Sequence, residues 1–413
     1  MVRSAVRHRD GLLVVTALAL LLTTHACVEI STSTTTASGS AGGVGQGGLS
    51  DERIREVLSH LAAKVIAPAY QEAADAAAQL DVAAKALAAD PTEANREKAQ
   101  QAWQDAMKAW QAAELMQVGP SGVSEFVLGG EDDREEVYSW PLTNSCRVEQ
   151  EIVEGNYIGG AAFLSEAVNV RGYDALEQLL FDPGVSNTCS VKSPINTMGS
   201  WDALVGELPS RRADYASTLS MLLAQQTGEL REAWLGTGGS WVGILSQAGS
   251  DSEIYPTAYS GLNAVSDGLF YFEKVTKDLK LGKPLGIFDC ETATCPDLFE
   301  SPYARADKAH VRANIAAFRL LLSGGEGEAL GFDDLLADLG ADSLAKSMTD
   351  GLDEADAALD AVGEDSLHEA LSKDKVSVLA VHTAVKKVAD LLKGEFVDTL
   401  GLELPKGVQS DND

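Results

Sequence analysis

Apolar residues recur at three- and four-residue intervals along most of the chain after residue 50. Ile54, Val57, Leu58, Leu61 and Val65 form the first such set, and this spacing places them on one face of a helix. The pattern predicts helical segments at 51–118 (interrupted at Asp90–Pro91), 148–157, 160–181, 201–235, 255–280, 303–323, 332–338, 342–361 and 375–394. Pro91 is well placed as the first residue of the helix after the interruption, and the Gly-rich segment 119–147 is predicted to be a long loop.

No alternating strand pattern of useful length appears, so the predicted fold class is all-α, with two tandem helical-bundle domains. The Gly-, Pro- and Ser-rich stretch 183–200 is the best boundary between them. We therefore expect an N-terminal bundle at 51–198 and a C-terminal bundle at 199–400. Residues 401–413 form an acidic, polar tail.

The N-terminal segment has the features of an export signal. Arg3, Arg7 and Arg9 precede an apolar run at 12–22, which is shorter than the ~20 residues that a membrane-spanning helix needs. Residues 1–26 are therefore predicted to be a cleaved signal peptide.

Cys27 follows Ala26, a small residue at the position where lipoprotein signal peptidase cuts. Thr24 and His25 depart from the usual lipobox, so a plain soluble export product is the alternative to a lipid anchor at Cys27. The Ser/Thr/Gly-rich composition of 27–50 predicts a flexible tether, which a lipid-anchored domain needs.

Composition narrows the possible partners. The chain has 413 residues, with 32 Lys and Arg against 62 Asp and Glu and a net charge of −30. Nucleic acid and anionic membrane surfaces would repel such a protein, so contact with a membrane is expected through the lipid anchor only. We predict an exported protein of the cell envelope, in the periplasm or at the outer membrane.

Four cysteines remain besides Cys27, and an even number in an exported protein indicates disulfides. Cys290 and Cys295 are close in sequence and form the surer pair. Cys146 with Cys189 then follows by elimination. A thiolate metal site is the less favoured alternative, because no further CxxC or His partner lies nearby.

Five motifs in the same order resemble the imelysin-like family, which includes the insulin-cleaving membrane protease and a periplasmic component of elemental iron uptake. They are the Trp-rich helix ending at Gly119–Pro120, the Trp-Pro-Leu loop at 140–142, the segment RGYDALEQLLF at 171–181, KLGKPLG at 280–286 and the Glu-Ser…Asn segment at 300–324. The resemblance covers about residues 51–400. It implies an exported, often iron-regulated protein with two helical bundles.

The family's signature GxHxxE is altered here, since Asp174 stands where the family has histidine. Asp174 and Glu177 are three residues apart and share one helix face. By the resemblance they replace a metal-ligand pair, and two carboxylates suit iron or another hard cation such as Ca²⁺, Mg²⁺ or Mn²⁺. Glu114 is a candidate third ligand. The alternative is a solvated acidic pair beside an ordinary exposed glutamate.

A ligand cleft is predicted beside this helix. Trp103 and Trp110 are seven residues apart and face the same way, either in the core or lining a groove. The other candidate cleft residues are Gly119, Pro120, Trp140, Pro141, Gly172 and Asn314, of which Asn314 by default braces its helix against the first bundle.

These features favour a binding protein for a metal ion or small ligand, acting in iron or metal uptake with a possible envelope transport partner. No HExxH or other zinc-peptidase motif is present, and His60, His310, His368 and His382 are isolated and predicted to be surface or core residues. No catalytic residue is assigned. The alternatives are a metallopeptidase that uses the same acidic cluster, and a structural or interaction protein with a degenerate metal site.

Overall fold

Helices form every regular element in the part of the chain that the structure, a computed structural model, describes, namely residues 48–182, 184–237 and 240–408. In the first half these are α1 (Asp51–Leu61), α2 (Ala67–Ala89), α3 (Glu93–Glu114), α4 (Asp133–Val137), α5 (Ser145–Glu154), α6 (Gly172–Phe181), α7 (Pro194–Thr197) and α8 (Ser200–Leu204). In the second half they are α9 (Leu208–Leu235), α10 (Trp241–Ser246), α11 (Ala258–Tyr271), α12 (Asp307–Ser323), α13 (Phe332–Asp338), α14 (Asp342–Ala361), α15 (Leu367–Lys373), α16 (Lys375–Leu391) and α17 (Val397–Leu400). The all-α prediction is confirmed.

Shorter helical turns connect several of these helices. Turns of π-helix at Ala62–Ile66, Phe272–Gly282 and Leu392–Phe396 continue α1, α11 and α16 without a break. Turns of 3-10 helix lie at Gly119–Ser121, Asn156–Ser165, Val168–Val170 and Pro296–Leu298. The predicted loop at 119–147 therefore contains α4 and the start of α5, and the predicted helix at 160–181 is divided between 3-10 turns up to Val170 and α6 from Gly172.

The first helix begins where its sequence predicts. Ser50 has extended backbone, and its hydroxyl oxygen accepts a hydrogen bond from the Arg53 N–H at 3.2 Å, which satisfies one free donor of the first turn. The predicted apolar face is buried, with Ile54, Val57 and Leu58 at 0% exposure.

The prediction for Pro91 is wrong. Thr92, not Asp90, is the N-cap of α3, and the helix begins at Glu93. The Thr92 N–H donates to the Asp90 carbonyl oxygen at 2.8 Å, so a turn holds Pro91 outside the helix.

Close packing of small residues builds the first half of the molecule. The Ala-rich α2 lies between α3 and α9, and Ala73, Ala77 and Ala84 are fully buried along it. Because alanine adds little bulk, neighbouring backbones can approach closely. In the second half, α14 packs along α16, and α13 and α14 have the predicted bounds.

The described residues belong to one compact unit, and the division into two bundles at 183–200 stays a prediction. Within the described ranges no helix combines the length and apolarity that a membrane span requires. The predicted signal peptide, Cys27, nearly all of the tether and residues 409–413 of the tail lie outside the described residues.

Both predicted disulfides are present, joining Cys146 to Cys189 and Cys290 to Cys295. Glu149 lies within 4.8 Å of Cys146 and Cys189, a grouping that resembles a metal site. The two sulfurs are bonded to each other and cannot act as thiolates, while the Glu149 carboxylate accepts hydrogen bonds from Thr188. This group is therefore a disulfide cross-link between residues 146 and 189, not a metal site.

Candidate functional site

Helix α6 begins at a position that only glycine can occupy. Gly172 has φ of +83°, and a Cβ there would lie 2.8 Å from the carbonyl oxygen of Val137. Any side chain would both strain the backbone and push the 137–141 segment away. Gly172 therefore lets that segment lie directly against the first turn of α6.

Trp103 and Trp110 hold α6 from the side of α3. The Trp103 indole N–H donates to the Tyr173 carbonyl oxygen at 2.9 Å, and the Trp110 ring lies 6.3 Å from the Tyr173 ring between centroids. Both tryptophans are buried, at 1% and 0% exposure. They face the same way, as predicted, and pack in the core against the signature helix.

Asp174 and Glu177 are both buried, at 7% and 3% exposure, so the interpretation as a solvated acidic pair is wrong. Glu177 Oε1 accepts hydrogen bonds from the Ser301 hydroxyl at 2.9 Å and from the backbone N–H groups of Tyr303 and Ala304 at 2.9 and 2.7 Å. No hydrogen bond from the described residues reaches Glu177 Oε2. The three donors fix the carboxylate and leave its second oxygen available.

Asp174 is held more loosely. Its Oδ2 accepts from the Ser139 hydroxyl at 3.0 Å, and its Oδ1 accepts from the Ala175 N–H at 2.9 Å. Burial raises the pKa of both Asp174 and Glu177 to about 7, despite these hydrogen bonds. Neither carboxylate has a salt-bridge partner among the described residues, and such a buried pair favours a positively charged ligand.

Two loops, at 138–141 and 299–304, supply these contacts and are joined behind the carboxylates. The Tyr138 hydroxyl donates to Glu300 Oε1 at 2.6 Å. Ser139 and Ser301, the next residue of each loop, then reach Asp174 and Glu177. Ser301 has φ of +62°, a left-handed conformation that non-glycine residues rarely adopt, and this turn aims its hydroxyl at Glu177.

Glu300 is anchored in a buried polar network. Its Oε2 lies 3.1 Å from Lys280 Nζ and 3.0 Å from His310 Nδ1, and its Oε1 accepts from the Gln111 amide at 2.8 Å. Burial alone would raise the pKa of Glu300, but the Lys280 charge and His310 outweigh it and hold that pKa well below its usual range.

Asn314 belongs to the same network. Its amide donates to the Gln111 carbonyl oxygen at 2.8 Å, and its side-chain oxygen accepts from Lys280 at 2.9 Å. It is fully buried and braces α12 against α3. His310, predicted to be an isolated surface or core residue, is a buried partner of Glu300.

A cavity of about 380 Å³ opens beside the pair. It is lined by Trp140, Pro141, Thr143, Ser145, Asp174, Glu177, Gln178, Leu279, Lys283, Asp297, Leu298, Phe299, Pro302 and Tyr303. The structure thus brings together four of the predicted site residues, namely Trp140, Pro141, Asp174 and Glu177. The remaining predicted cleft residues do not line this cavity: Trp103, Trp110, Gly119, Pro120, Gly172 and Asn314.

Glu114 is buried but lies apart from the pair. The Arg134 guanidinium donates to Glu114 Oε1, from Nε at 2.8 Å, so this carboxylate already has a cation. Among the described residues, Glu114, Asp174 and Glu177 do not come within metal-ligand reach of one another. The expectation of an exposed glutamate is wrong, and Glu114 is not brought to the pair as a third ligand.

Sequence reasoning missed the residues that hold the two carboxylates or anchor the loops that do so: Ser139, Lys280, Glu300, Ser301 and Tyr303. Ser139 stands next to the Trp-Pro-Leu motif, and Lys280, Glu300 and Ser301 stand in the two second-half motifs that carry the family resemblance. The motifs marked the right segments, but nothing in them indicated a role for these side chains.

Comparison with known proteins relates most of the chain to one family. The family model described as Imelysin matches residues 66–393. Iron-regulated protein A of Synechococcus elongatus is 26% identical over 340 residues, which cover 81% of this chain and 83% of that protein.

Two solved structures resemble the fold. A putative iron-regulated protein A precursor from Parabacteroides distasonis aligns with a TM-score of 0.67 at 16% identity, covering 85% of this chain and 96% of that one. An imelysin-like protein from Psychrobacter arcticum aligns with a TM-score of 0.66 at 16% identity, covering 86% and 98%. At this identity the likeness shows the fold alone.

Proposed function

The chain belongs to the imelysin family, and from that premise we propose that it is an exported cell-envelope protein that binds a cation in the cavity beside α6, in the service of iron uptake. The name of the relative from Synechococcus elongatus, iron-regulated protein A, supports the link with iron. The predicted signal peptide and the predicted lipid anchor at Cys27 support a location at the envelope. An envelope transport partner would receive the ligand.

One observation carries the proposal. Glu177 is 3% exposed, its carboxylate is fixed by three donors on Oε1, and Oε2 is left without a hydrogen bond from the described residues. A carboxylate in a residue buried to this degree is costly to keep charged unless a partner compensates it. Asp174, one helical turn away, lines the same cavity.

The donor set fits a hard cation. Carboxylate oxygens suit iron, manganese, calcium and magnesium better than softer metals, and Asp174 and Glu177 would hold the ion. The side chains of Thr143, Ser145 and Gln178 also line the cavity and offer further oxygen atoms. As cargo, the ion would neutralise two charges that burial otherwise disfavours.

Thermal unfolding of the purified protein with Fe²⁺, Mn²⁺, Ca²⁺, Mg²⁺ or Zn²⁺, and with EDTA, tests the proposal. A ligand at about 100 times its Kd adds about 2.7 kcal/mol to the free energy of unfolding, so one cation should raise the melting temperature by a few degrees. The rise should disappear in Asp174→Asn/Glu177→Gln.

Asp267→Asn is the matched control, because Asp267 is a half-buried carboxylate of α11 whose pKa is also raised to about 7 by burial and which does not line the cavity. It should keep the full response. A rise in melting temperature that persists in the double variant would show that the ion binds at another site. Chelator-sensitive peptide cleavage that requires Glu177 would instead favour the metallopeptidase alternative.

A further inference from the structure

The cavity beside α6 is larger than a metal ion needs. An ion is held by a few oxygen atoms at roughly 2.0–2.6 Å, whereas this space measures about 380 Å³. Sites of roughly 300 Å³ and above are typical of organic ligands. The space therefore has room for a molecular body in addition to a positive charge.

Half of the residues that line the cavity are apolar or aromatic. Trp140 and Tyr303 contribute rings, and Leu279, Leu298 and Phe299 contribute hydrophobic surface. A hydrated ion gains nothing from such walls, because its ligands are water and oxygen. Aromatic faces attract organic cations, and hydrophobic surface stabilises an apolar ligand body when water is excluded.

The charged side chains that line the cavity favour a ligand with a positive charge. Besides the carboxylate pair, the charged side chains that line it are Lys283 and Asp297. Lys283 forms no salt bridge with Asp174 or Glu177 in the part of the chain that the structure describes, and Asp297 is exposed and lies 3.7 Å from His368. Neither side chain is therefore an ion-pair partner of the buried pair. Glu177 Oε2 and Asp174 remain as acceptors at one wall.

We propose that the ligand of this cavity is an organic cation, an ammonium or guanidinium group carried on an apolar or aromatic body. The charged group donates hydrogen bonds to Glu177 Oε2 and Asp174, while the body packs between Trp140, Phe299 and Tyr303. This inference rests on the proposed function, because it assumes that the carboxylate pair binds a cation, and it names the chemical class of that cation.

Isothermal titration calorimetry with four probes tests the proposal. Phenethylamine has both charge and body, 2-phenylethanol is its neutral isostere, methylammonium has the charge without the body, and Mn²⁺ is a bare hard cation. Phenethylamine should bind at least about tenfold more tightly than 2-phenylethanol and methylammonium, since a charged hydrogen bond and hydrophobic burial both contribute.

Three variants locate the binding. Glu177→Gln should lower the phenethylamine affinity at least about tenfold by removing the charge. Trp140→Ala should weaken phenethylamine binding without touching either carboxylate, and Asp267→Asn should leave it unchanged. Because Trp140→Ala leaves both carboxylates in place, it provides a second test if Glu177→Gln fails to fold.

The outcomes separate this inference from the proposed function. Mn²⁺ binding that requires Glu177, with no phenethylamine binding, would overturn the inference and leave the proposed function standing. Phenethylamine binding that is equal in Glu177→Gln, or equal to that of 2-phenylethanol, would also overturn it. Binding of phenethylamine alone supports the inference and removes the metal ion from the proposed function. Binding of neither cation rejects both.

Discussion

Glu300 and Glu177 are both buried, and the 299–304 loop contains the first and contacts the second. Their electrostatic environments nevertheless differ. Glu300 lies against Lys280 and His310, and its pKa is held far below the usual range. Glu177 receives hydrogen bonds but no ion pair from the described residues, and burial raises its pKa to about 7. Ser301, adjacent to Glu300, connects the two by donating to Glu177.

The presence or absence of an ion-pair partner distinguishes a carboxylate that stabilises the fold from one that can bind a ligand. Burying a carboxylate is costly unless a cation accompanies it. Glu300 has its cation in the fold and anchors the 299–304 loop. Glu177 has no such cation among the described residues, and in our proposal a ligand that enters the cavity supplies the compensating charge.

The largest expected effect comes from breaking the paired site. Glu300→Ala should lower the free energy of unfolding by about 3–5 kcal/mol, because it leaves the Lys280 charge buried without its partner. Denaturant unfolding of the variant and the wild type measures this loss.

Lys280→Met/Glu300→Leu is the informative control, since removing both charges avoids the orphaned cation. This double variant should be more stable than Glu300→Ala. A Glu300→Ala variant with nearly wild-type stability would show that Glu300 and Lys280 are not paired in solution.

A smaller effect should appear at the unpaired site as a pH dependence. The Glu177 pKa is about 7 in the folded state against an ordinary value of 4.5, so the folded state binds more protons between these values. The free energy of unfolding should therefore fall as the pH rises from about 4.5 through 7, by up to about 3 kcal/mol. Glu177→Gln should not show this loss. Its free energy of unfolding relative to wild type should therefore be higher at pH 8 than at pH 5.

Denaturant unfolding at pH 5 and pH 8 measures the difference. Asp267→Asn should also reduce the decrease in the free energy of unfolding at rising pH, because burial raises the pKa of Asp267 to about 7. Wild-type and Glu177→Gln stabilities that change in parallel with pH would contradict the assignment of Glu177 as an uncompensated carboxylate.

The smallest expected effect concerns the link between the two sites. Ser301→Ala removes one of the three donors to Glu177 Oε1 and should cost about 1 kcal/mol of stability at pH 8. It should also raise the Glu177 pKa further, because the Ser301 hydrogen bond lowers it.

Carbon-13 NMR titration of the Glu177 carboxyl measures the pKa directly. Ser139→Ala, which removes the donor to Asp174, is the matched variant and should affect Asp174 more than Glu177. An unchanged Glu177 pKa in Ser301→Ala would show that the two backbone N–H groups hold this carboxylate by themselves.

Local sequence patterns predicted much of the fold. The periodicity of apolar residues correctly predicted the bounds of α13 and α14. This works because the buried face of a helix recurs every three or four residues along the sequence. Counting cysteines predicted both disulfides. Pro91 was misplaced because a hydrogen bond between Thr92 and Asp90, not helix propensity alone, decided where α3 begins.

The candidate site was only partly predictable. The three-residue spacing of Asp174 and Glu177 placed both on one helix, but their burial depends on α3, α9 and two distant loops. Glu114, Trp103 and Trp110 carry the right chemistry for a site, yet Glu114 is bound by Arg134 and the tryptophans pack on Tyr173.

The sequence by itself determined most of the longer helices, the disulfide pairs and the segments that carry the family's motifs, because each depends on neighbouring residues or on residue counts. The tertiary structure alone decided which buried carboxylate has a cation. Ser301 and Glu177 are 124 residues apart, and Tyr138 and Glu300 are 162 apart. Charge compensation depends on distance in space and on exclusion of water, and neither is set until these segments pack together.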